Sequence, residues 1–413
     1  MEIGMTQHID TAVIGGGQAG LSASWHLKKA GREHLVLDRG KPGDTWRNRW
    51  DSFCLVTPNE MCRLPGFPYD GDEPDGFMLR DEIVSYVERF AESFDPPYKQ
   101  GVEVRRLIPS DDGARFSLDT SLGVLNADNV IVAVGTHQRP NIPNWSNKFS
   151  DDIFQLHTHD YRNAAQLPAG GVLVVGSGQS GCQVVEDLLG EGRDVHLCVG
   201  KAGRLPRRYR GREILEWLRE TGLFKMPVDE HPAGREIRFK PNIHLSGRDG
   251  GHTIDLRQLA QDGVKLHGRL IDVDGYQVSF ANDLAKNLDA IDKDCRERLE
   301  KIDGFIEENG IEAPEDNSQP IAWRPNPEPT ILDLKGSGIH SVIYATGFRF
   351  NFRWIDLPIL DDRGYPHYDR GVTDTPGLYF LGLHWLYTAG SGLFFDVGRD
   401  AEYVVEHLCR QSR

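Results

Sequence analysis

The chain of 413 residues is long enough for two or three domains. Its composition, 39% hydrophobic and 26% charged, is that of a folded protein and excludes extensive disorder. The formal net charge of −15 excludes the basic surface of a nucleic-acid-binding protein and argues against an anionic membrane as a partner. The six cysteines include no closely spaced pair, which excludes a thiol redox motif and a cysteine metal site and favours a reducing cytoplasm.

Two segments bear on membrane targeting. The first ten residues are polar, so no signal peptide is expected. Residues 377–395 contain no Asp, Glu, Lys or Arg and are long enough to span a bilayer. Because glycines, a histidine and a serine interrupt this stretch, we predict a buried strand followed by a glycine-rich turn, and no membrane span.

The first predicted nucleotide-binding unit covers residues 9–40, where an apolar run leads into GGGQAG, a helix-like stretch and a second apolar run. In such a unit the first glycine makes a tight turn, the second lets the backbone approach a pyrophosphate, and the third allows close packing. The predicted contacts of this turn are Gly15, Gly17, Gln18, Ala19 and Gly20. Asp38 follows the second run, where a carboxylate accepts both ribose hydroxyls, which predicts FAD or NAD. The alternative is a glycine turn that binds no ligand.

The segment after this unit contains a predicted helix from about Arg80 and short strands over 101–135. The apolar run DNVIVAVG ends at Gly135, where a small-residue turn lets the backbone come close to a ligand. Gly135 is therefore a predicted cofactor contact, and Val104, in the same group of strands, is included with it. A segment rich in Pro and Asn, over 138–169, is predicted to be a linker.

The second predicted nucleotide-binding unit begins at Gly171 and repeats the first with GSGQSG. No acid stands where Asp38 stands in the first unit, and basic residues follow instead. NADPH carries a 2′-phosphate, which arginines bind and an acid would repel, so this unit is predicted to bind NADPH. The alternative is a solvated basic turn. The predicted contacts are Gly176, Gly178, Gln179, Ser180, Gly181, Lys201, Arg204 and Arg207.

The remaining sequence predicts a helix near 212–222, strands over 255–281 and a long helix over 283–309. The long helix could be a lid, a dimer face or a sheet cover; its single apolar stripe favours the cover and leaves a homodimer open. An apolar strand then runs into the turn Ala345-Thr346-Gly347, where Thr346 and Gly347 are predicted cofactor contacts. The last predicted helix covers about 397–411.

The fold class is therefore predicted to be α/β, with two Rossmann-like dinucleotide-binding domains. The second domain is inserted in the first. The FAD-binding domain is predicted to comprise 1–165 and 336–413, and the NADPH-binding domain 166–335 with the helical insert 283–309.

These motifs resemble those of the class B flavin-dependent monooxygenases, which include flavin-containing monooxygenases, YUCCA-like enzymes and Baeyer–Villiger monooxygenases. The resemblance covers about residues 10–408 and is carried by GGGQAG, GSGQSG, GDTW at 43–46, ATGF at 345–348 and LHTHDYR at 156–162. His157 and Tyr161 are similar to the second half of the family fingerprint in its Tyr-ending form, which counts against the Baeyer–Villiger branch. The first half departs, because Asp151 stands where the family has glycine.

The resemblance also implies roles for single residues. Trp46 would pack beside the flavin, with a buried structural tryptophan as the alternative. Asn59 would lie near the flavin as the candidate catalytic residue, although Pro58 is inserted before it and a Pro-Asn turn is the alternative. Gly382 belongs to the segment GLYFLG, which is similar to the one that closes the FAD site.

The activity implied by the resemblance needs FAD, NADPH and O2, and no metal. A C4a-(hydro)peroxyflavin would oxygenate a small N- or S-nucleophile. Three alternatives stay open: a Baeyer–Villiger ketone oxygenase, a flavin-dependent reductase or electron-transfer protein, and a cofactor-bound sensor without turnover.

Overall fold

The computed structural model describes residues 7–411; residues 1–6 and 412–413, which the predicted FAD-binding domain includes, lie outside the described residues. The first strands are β1 (Gln7–Ile14), β2 (His34–Leu37), β3 (Arg63–Leu64), β4 (Phe67–Pro68), β5 (Tyr98–Lys99), β6 (Val104–Pro109), β7 (Phe116–Thr120), β8 (Gly123–Val132), β9 (Arg139–Pro140) and β10 (Phe154–His157). The later strands are β11 (Gly171–Val175), β12 (Val195–Cys198), β13 (Arg208–Tyr209), β14 (Arg212–Glu213), β15 (Lys265–His267), β16 (Leu270–Asp274), β17 (Gln277–Phe280), β18 (Ile331–Asp333), β19 (Ile339–Tyr344), β20 (Phe348–Arg349) and β21 (Leu378–Phe380).

The helices follow the periodicity that the sequence shows. They are α1 (Gln18–Lys29), α2 (Asp44–Arg47), α3 (Arg80–Phe94), α4 (Gln179–Gly190), α5 (Ile214–Glu220), α6 (Leu256–Gln261), α7 (Leu284–Glu308) and α8 (Val397–Gln411). The helices predicted from Arg80, over 283–309 and over 397–411 are confirmed as α3, α7 and α8. Within residues 7–411, no helix combines the length and the apolarity needed to cross a bilayer.

The first large sheet is built from both ends of the chain. Its order is β5-β2-β1-β8-β7-β6, with β21 pairing the second half of β8. Strands β2, β1, β8 and β21 run parallel, so their carboxyl ends lie at one edge. Residues 11–14 of β1 are all buried because helices cover this part of the sheet. The glycine turn at Gly15, the turn at Gly135 and the segment after β21 therefore meet at the same edge.

The second large sheet has the order β10-β19-β11-β12-β15, and all four pairings are parallel. Its carboxyl edge carries the turn at Gly176, the turn at 345–347 and the basic segment after β12. In doubly wound folds ligands bind at this edge of the sheet. The α/β fold class with two dinucleotide-binding units is thus confirmed.

Three predictions from the sequence need correction. The 138–169 linker contains β10, which pairs with β19 in the second sheet, although both strands fall within the segments 1–165 and 336–413 predicted for the FAD-binding domain. The four-residue β10 was missed because it is too short to show a period. The 255–281 segment contains α6 ahead of its strands. The carboxylate of Asp255 accepts a hydrogen bond from the Arg257 backbone and caps this helix, a start signal that the sequence carries.

Candidate functional site

The first glycine turn has the shape of a pyrophosphate cradle. Gly15 has a φ of +105°, and a Cβ there would overlap the carbonyl oxygen of Ala133. A Cβ at Gly20 would overlap the carbonyl oxygen of Gly15. Gly20 is therefore required for the close packing of α1 on β1. A Cβ at Gly17 would meet nothing within 4 Å. The open space at Gly17 adjoins the N-terminus of α1, whose unpaired backbone N–H groups and dipole favour an anion.

The acid of the first unit is held against this turn. The two carboxylate oxygens of Asp38 accept hydrogen bonds from the backbone N–H of Gly16 at 2.5 Å and Gly40 at 2.7 Å. Each oxygen keeps a second lone pair for a ribose hydroxyl. The backbone N–H of Val102 donates to the carbonyl of Asp38 at 2.9 Å. Val104 instead begins β6, at the far edge of the sheet, so Val102 is the valine that lies beside the acid.

A pocket opens beside this turn. The residues around it include Gly16, Gly17, Gln18, Asp38 and Trp46. The Trp46 ring stacks on Phe394 with 5.4 Å between ring centres, and its buried indole N–H has no hydrogen-bond partner among the described residues. An orphaned buried donor is costly, and a ligand carbonyl would satisfy it. These residues therefore fit an FAD.

Two other predicted contacts close this edge. The side-chain amide of Gln18 donates to the carbonyl of Gly392 at 3.2 Å. A Cβ at Gly382 would lie 2.5 Å from the Cβ of Ala19, so the segment after β21 packs directly on the start of α1. Gly135 has a φ of +69° and open space where its side chain would be. The structure thus brings all these predicted residues to one edge of the first sheet.

The second glycine turn reproduces the first. Gly176 has a φ of +110°, and a Cβ there would lie 2.6 Å from the carbonyl oxygen of Ala345. A Cβ at Gly181 would overlap the Gly176 carbonyl oxygen, whereas a Cβ at Gly178 would meet nothing within 4 Å. Ser180 lies in the first turn of α4. The open space at Gly178 fits the pyrophosphate of a second dinucleotide.

The side chain of Gln179 is occupied within the protein. Its amide donates to the carbonyl of Leu245 at 2.5 Å, and its oxygen accepts from the Leu245 backbone N–H at 2.9 Å. These two bonds tie α4 to the segment after α5. The contacts therefore give this side chain a structural role.

The three predicted phosphate-binding cations have different surroundings. Arg204 forms ion pairs with Asp292 at 2.9 Å and Asp255 at 3.1 Å. Arg207 is 1% exposed and pairs with Glu213 at 2.7 Å. Lys201 is exposed and forms no ion pair among the described residues. Protein carboxylates thus already neutralise both arginines, and Lys201 is the cation of this group that is left for a phosphate.

Both ends of the Asn59 side-chain amide are also hydrogen-bonded within the protein. Its side-chain amide donates to the carbonyl of Glu73 at 2.9 Å, and its oxygen accepts from the backbone N–H of Met78 at 2.8 Å. The residue is 3% exposed. It closes the 59–78 loop, so its contacts favour the Pro-Asn turn over a contact with the flavin.

The carboxyl edges of the two sheets are joined by the short strands β9 and β20, and the space between these edges is the cleft. Strand β9, which follows Gly135, pairs with β20, which follows Gly347. The Asn141 backbone N–H donates to the carbonyl of Gly347 at 3.0 Å, and Thr346 Oγ1 donates to the carbonyl of Asn141 at 2.5 Å. Gly347 has a φ of +76° and open space where a Cβ would be. Both small-residue turns thus line the cleft, and Asn141 joins them without having been predicted.

The fingerprint histidine and tyrosine bond within the second unit, and Tyr161 shares its acceptor, Asp187, with a residue of the first unit. His157 accepts at Nδ1 from the His159 backbone N–H and donates from Nε2 to the Gly347 carbonyl, each at 3.0 Å, which fixes a neutral tautomer. Burial lowers the pKa of His157. Tyr161 donates to Asp187 of α4 at 2.5 Å, and Ser52 of the first unit donates to the same carboxylate at 2.5 Å.

Comparison with known proteins agrees with this geometry. The sequence profile of the family described as pyridine nucleotide-disulphide oxidoreductase matches residues 12–223. The chain is 35% identical over 407 residues to the uncharacterized oxidoreductase CzcO-like of Geobacillus kaustophilus. The match covers 97% of this chain and 99% of that relative. It is 26% identical over 391 residues to the probable indole-3-pyruvate monooxygenase YUCCA3 of Arabidopsis thaliana, over 90% of this chain and 81% of that relative.

Solved structures share the architecture. The flavin-containing monooxygenase from Stenotrophomonas maltophilia matches with a TM-score of 0.67 and 19% identity, over 99% of this chain and 100% of that one. The bacillithiol disulfide reductase Bdr (YpdA) from Bacillus cereus matches with a TM-score of 0.63 and 14% identity, over 98% and 100%. At these identities the likeness shows the fold alone.

Proposed function

Because the chain belongs to the pyridine nucleotide-disulphide oxidoreductase family and to the class B flavin-dependent monooxygenases, which use FAD and NADPH, we propose that it oxygenates a small N- or S-nucleophile. The observation that carries the proposal is the pair of matching glycine cradles, at Gly17 and Gly178, whose sheet edges face one cleft. Reduced flavin supplies the chemistry that activates O2, and NADPH supplies the electrons.

The chain's own residues would bind and orient the two cofactors. The α1 N-terminus and Asp38 would hold the FAD pyrophosphate and ribose, with the orphaned indole N–H of Trp46 beside them. The α4 N-terminus and Lys201 would hold the pyrophosphate and 2′-phosphate of NADPH. Tyr161 would keep the two cradles in register through Asp187. Packed side chains around the cleft would exclude water, which limits loss of the activated oxygen to solvent.

A thiol-based reductase is disfavoured by the cysteines of this chain. All six are free, and five are buried. Burial raises the pKa of the Cys54 and Cys62 thiols to about 12 each, so neither is a thiolate at neutral pH. The shared fold with a disulfide reductase therefore does not bring the thiol chemistry with it.

The experiment that tests the proposal uses the FAD-loaded full chain. Oxidation of NADPH and of NADH, O2 uptake, peroxide release and product are measured with a panel of small amines and thioethers. We expect preference for NADPH and an N-oxide or S-oxide formed in proportion to NADPH consumed. Lactone or ester from a ketone panel would replace the proposal with the Baeyer–Villiger reaction. NADPH oxidation with peroxide as the only product from every panel would contradict oxygenation.

A further inference from the structure

An unpaired guanidinium lies in the cleft between the two units. Arg49 follows α2 of the first unit, and its neighbour Trp50 is buried in the core of the second. The Nε of Arg49 is buried without a hydrogen-bond partner, and the side chain forms no ion pair among residues 7–411. Burial, with the nearby charge of Arg162, lowers the pKa of Arg49 to about 10, so it remains charged at neutral pH.

No acidic side chain in the described part of the chain perturbs the charge of Arg49. The charge that perturbs Arg49 is that of Arg162, whose guanidinium donates to the carbonyls of His159 and Tyr161. The charge of Arg49 acts on His137, so these two residues lie within electrostatic reach of each other. His384 also lies within electrostatic reach of His137. Desolvation lowers the pKa of His137 to about 3 and that of His384 to about 4, so both rings are neutral at neutral pH. A half-buried, charged guanidinium beside another cation and neutral imidazoles has an incomplete environment, because buried charges are normally paired.

The walls beside this cluster are aromatic. The ring of His137 packs edge-on against Phe348 with 4.7 Å between ring centres, and Arg49 lies over Phe53 at 5.9 Å. The His137 side chain is exposed, so its ring is accessible to a ligand. The cluster therefore combines an apolar wall with one fixed positive charge, a combination that selects a small organic anion.

We infer that Arg49, with His137 nearby, forms a subsite for the carboxylate of the substrate. The choice of occupant rests on the proposed function. Each cofactor's pyrophosphate has its own cradle, at α1 or α4, and Lys201 lies beside the second cradle for the 2′-phosphate. A carboxylate fits the planar fork of the guanidinium with two parallel hydrogen bonds. The proposed substrate is therefore a small amine or thioether that carries a carboxylate.

The test measures binding without turnover, by calorimetry on the oxidised, FAD-loaded protein. The probes are acetate, butyrate and phenylacetate, each compared with its neutral amide. We expect at least one acid to bind at least about tenfold more tightly than its amide. Arg49→Met, which keeps the apolar stem, should remove this preference, and Arg49→Lys should keep part of it. Arg353→Met is the matched control, because Arg353 is exposed and has no ion pair among the described residues.

Thermal unfolding of the apoprotein gives a second readout. Removal of an unpaired enclosed charge relieves a desolvation cost, so Arg49→Met should melt no lower than wild type. A lower melting temperature would mean that the guanidinium already has a stabilising partner, and it would overturn the inference.

Other outcomes would also overturn it. These are equal binding of every acid and its amide, no binding of any acid, or unchanged acid binding by Arg49→Met. In the last case, a weaker affinity for NADP+ would assign the subsite to a cofactor phosphate, and a lower flavin midpoint potential would assign it to the reduced flavin. Acid binding that depends on Arg49 in a protein that oxygenates no substrate would leave the inference standing and contradict the proposed function instead.

Discussion

The middle glycine of each cradle offers a sharp test, because the protein itself does not need it. Gly17 has a φ of −76°, which alanine adopts freely, and a Cβ there meets no protein atom within 4 Å. Alanine at this N-cap position costs up to about 1 kcal/mol relative to glycine. The reduced entropy of the unfolded chain offsets about 0.4–1 kcal/mol of that. The Gly17→Ala apoprotein should therefore melt within about 2 °C of wild type, since an unfolding entropy of about 2.1 cal/mol/K per residue makes 1 kcal/mol correspond to about 1 °C for this chain.

The same methyl group would occupy the space where the FAD pyrophosphate approaches the backbone. We expect FAD affinity to fall at least about tenfold, equivalent to about 1.4 kcal/mol, in a titration of flavin fluorescence. Gly20→Ala is the matched control: its Cβ overlaps the carbonyl of Gly15, so this variant should lose stability by about 3 kcal/mol or more even without FAD. Wild-type FAD affinity in Gly17→Ala would refute the assignment of this space to the pyrophosphate.

Three further predictions follow from the contacts. Lys201→Gln should raise the KM for NADPH about tenfold and leave the KM for NADH unchanged; equal changes would contradict a 2′-phosphate contact. Arg207→Met leaves Glu213 buried and unpaired, so it should cost about 3–5 kcal/mol in urea unfolding; a stable variant with weakened NADPH binding would contradict this structural role. His196 and His267 share a 2.8 Å hydrogen bond, and burial lowers their pKa from 6.5 to about 4 and about 3. The unfolded chain binds protons first as the pH falls, and each histidine contributes about 2.5–3 kcal/mol, so stability should fall by about 5 kcal/mol between pH 6.5 and 4. The fall should be smaller in His267→Phe, and an equal fall would contradict this assignment.

The sequence predicted the parts of the site that depend on local geometry. A glycine turn between a buried strand and a helix has few backbone solutions, so Gly15 and Gly176 were found from spacing alone. The long helix α7 and the last helix α8 were predicted because their apolar residues repeat over several turns.

The parts that depend on tertiary packing were not predictable in this way. Basic residues after the second motif suggested a phosphate site, but Asp292, which lies on α7 and pairs with Arg204, could be placed there only by the fold. Asn59 matched a family pattern, yet its amide bonds were fixed by the 59–78 loop. Arg49 gave no signal at all, because an arginine without a partner looks in sequence like any surface arginine.

Oxygen transfer from O2 to the substrate is tested with isotopically labelled O2. The FAD-loaded enzyme, NADPH and a thioether from the panel are incubated under the labelled gas, and the product and water are analysed by mass spectrometry. We expect one labelled oxygen atom in each sulfoxide, with one NADPH consumed for each sulfoxide formed. Label recovered only in peroxide and water, with the thioether unchanged, would contradict it.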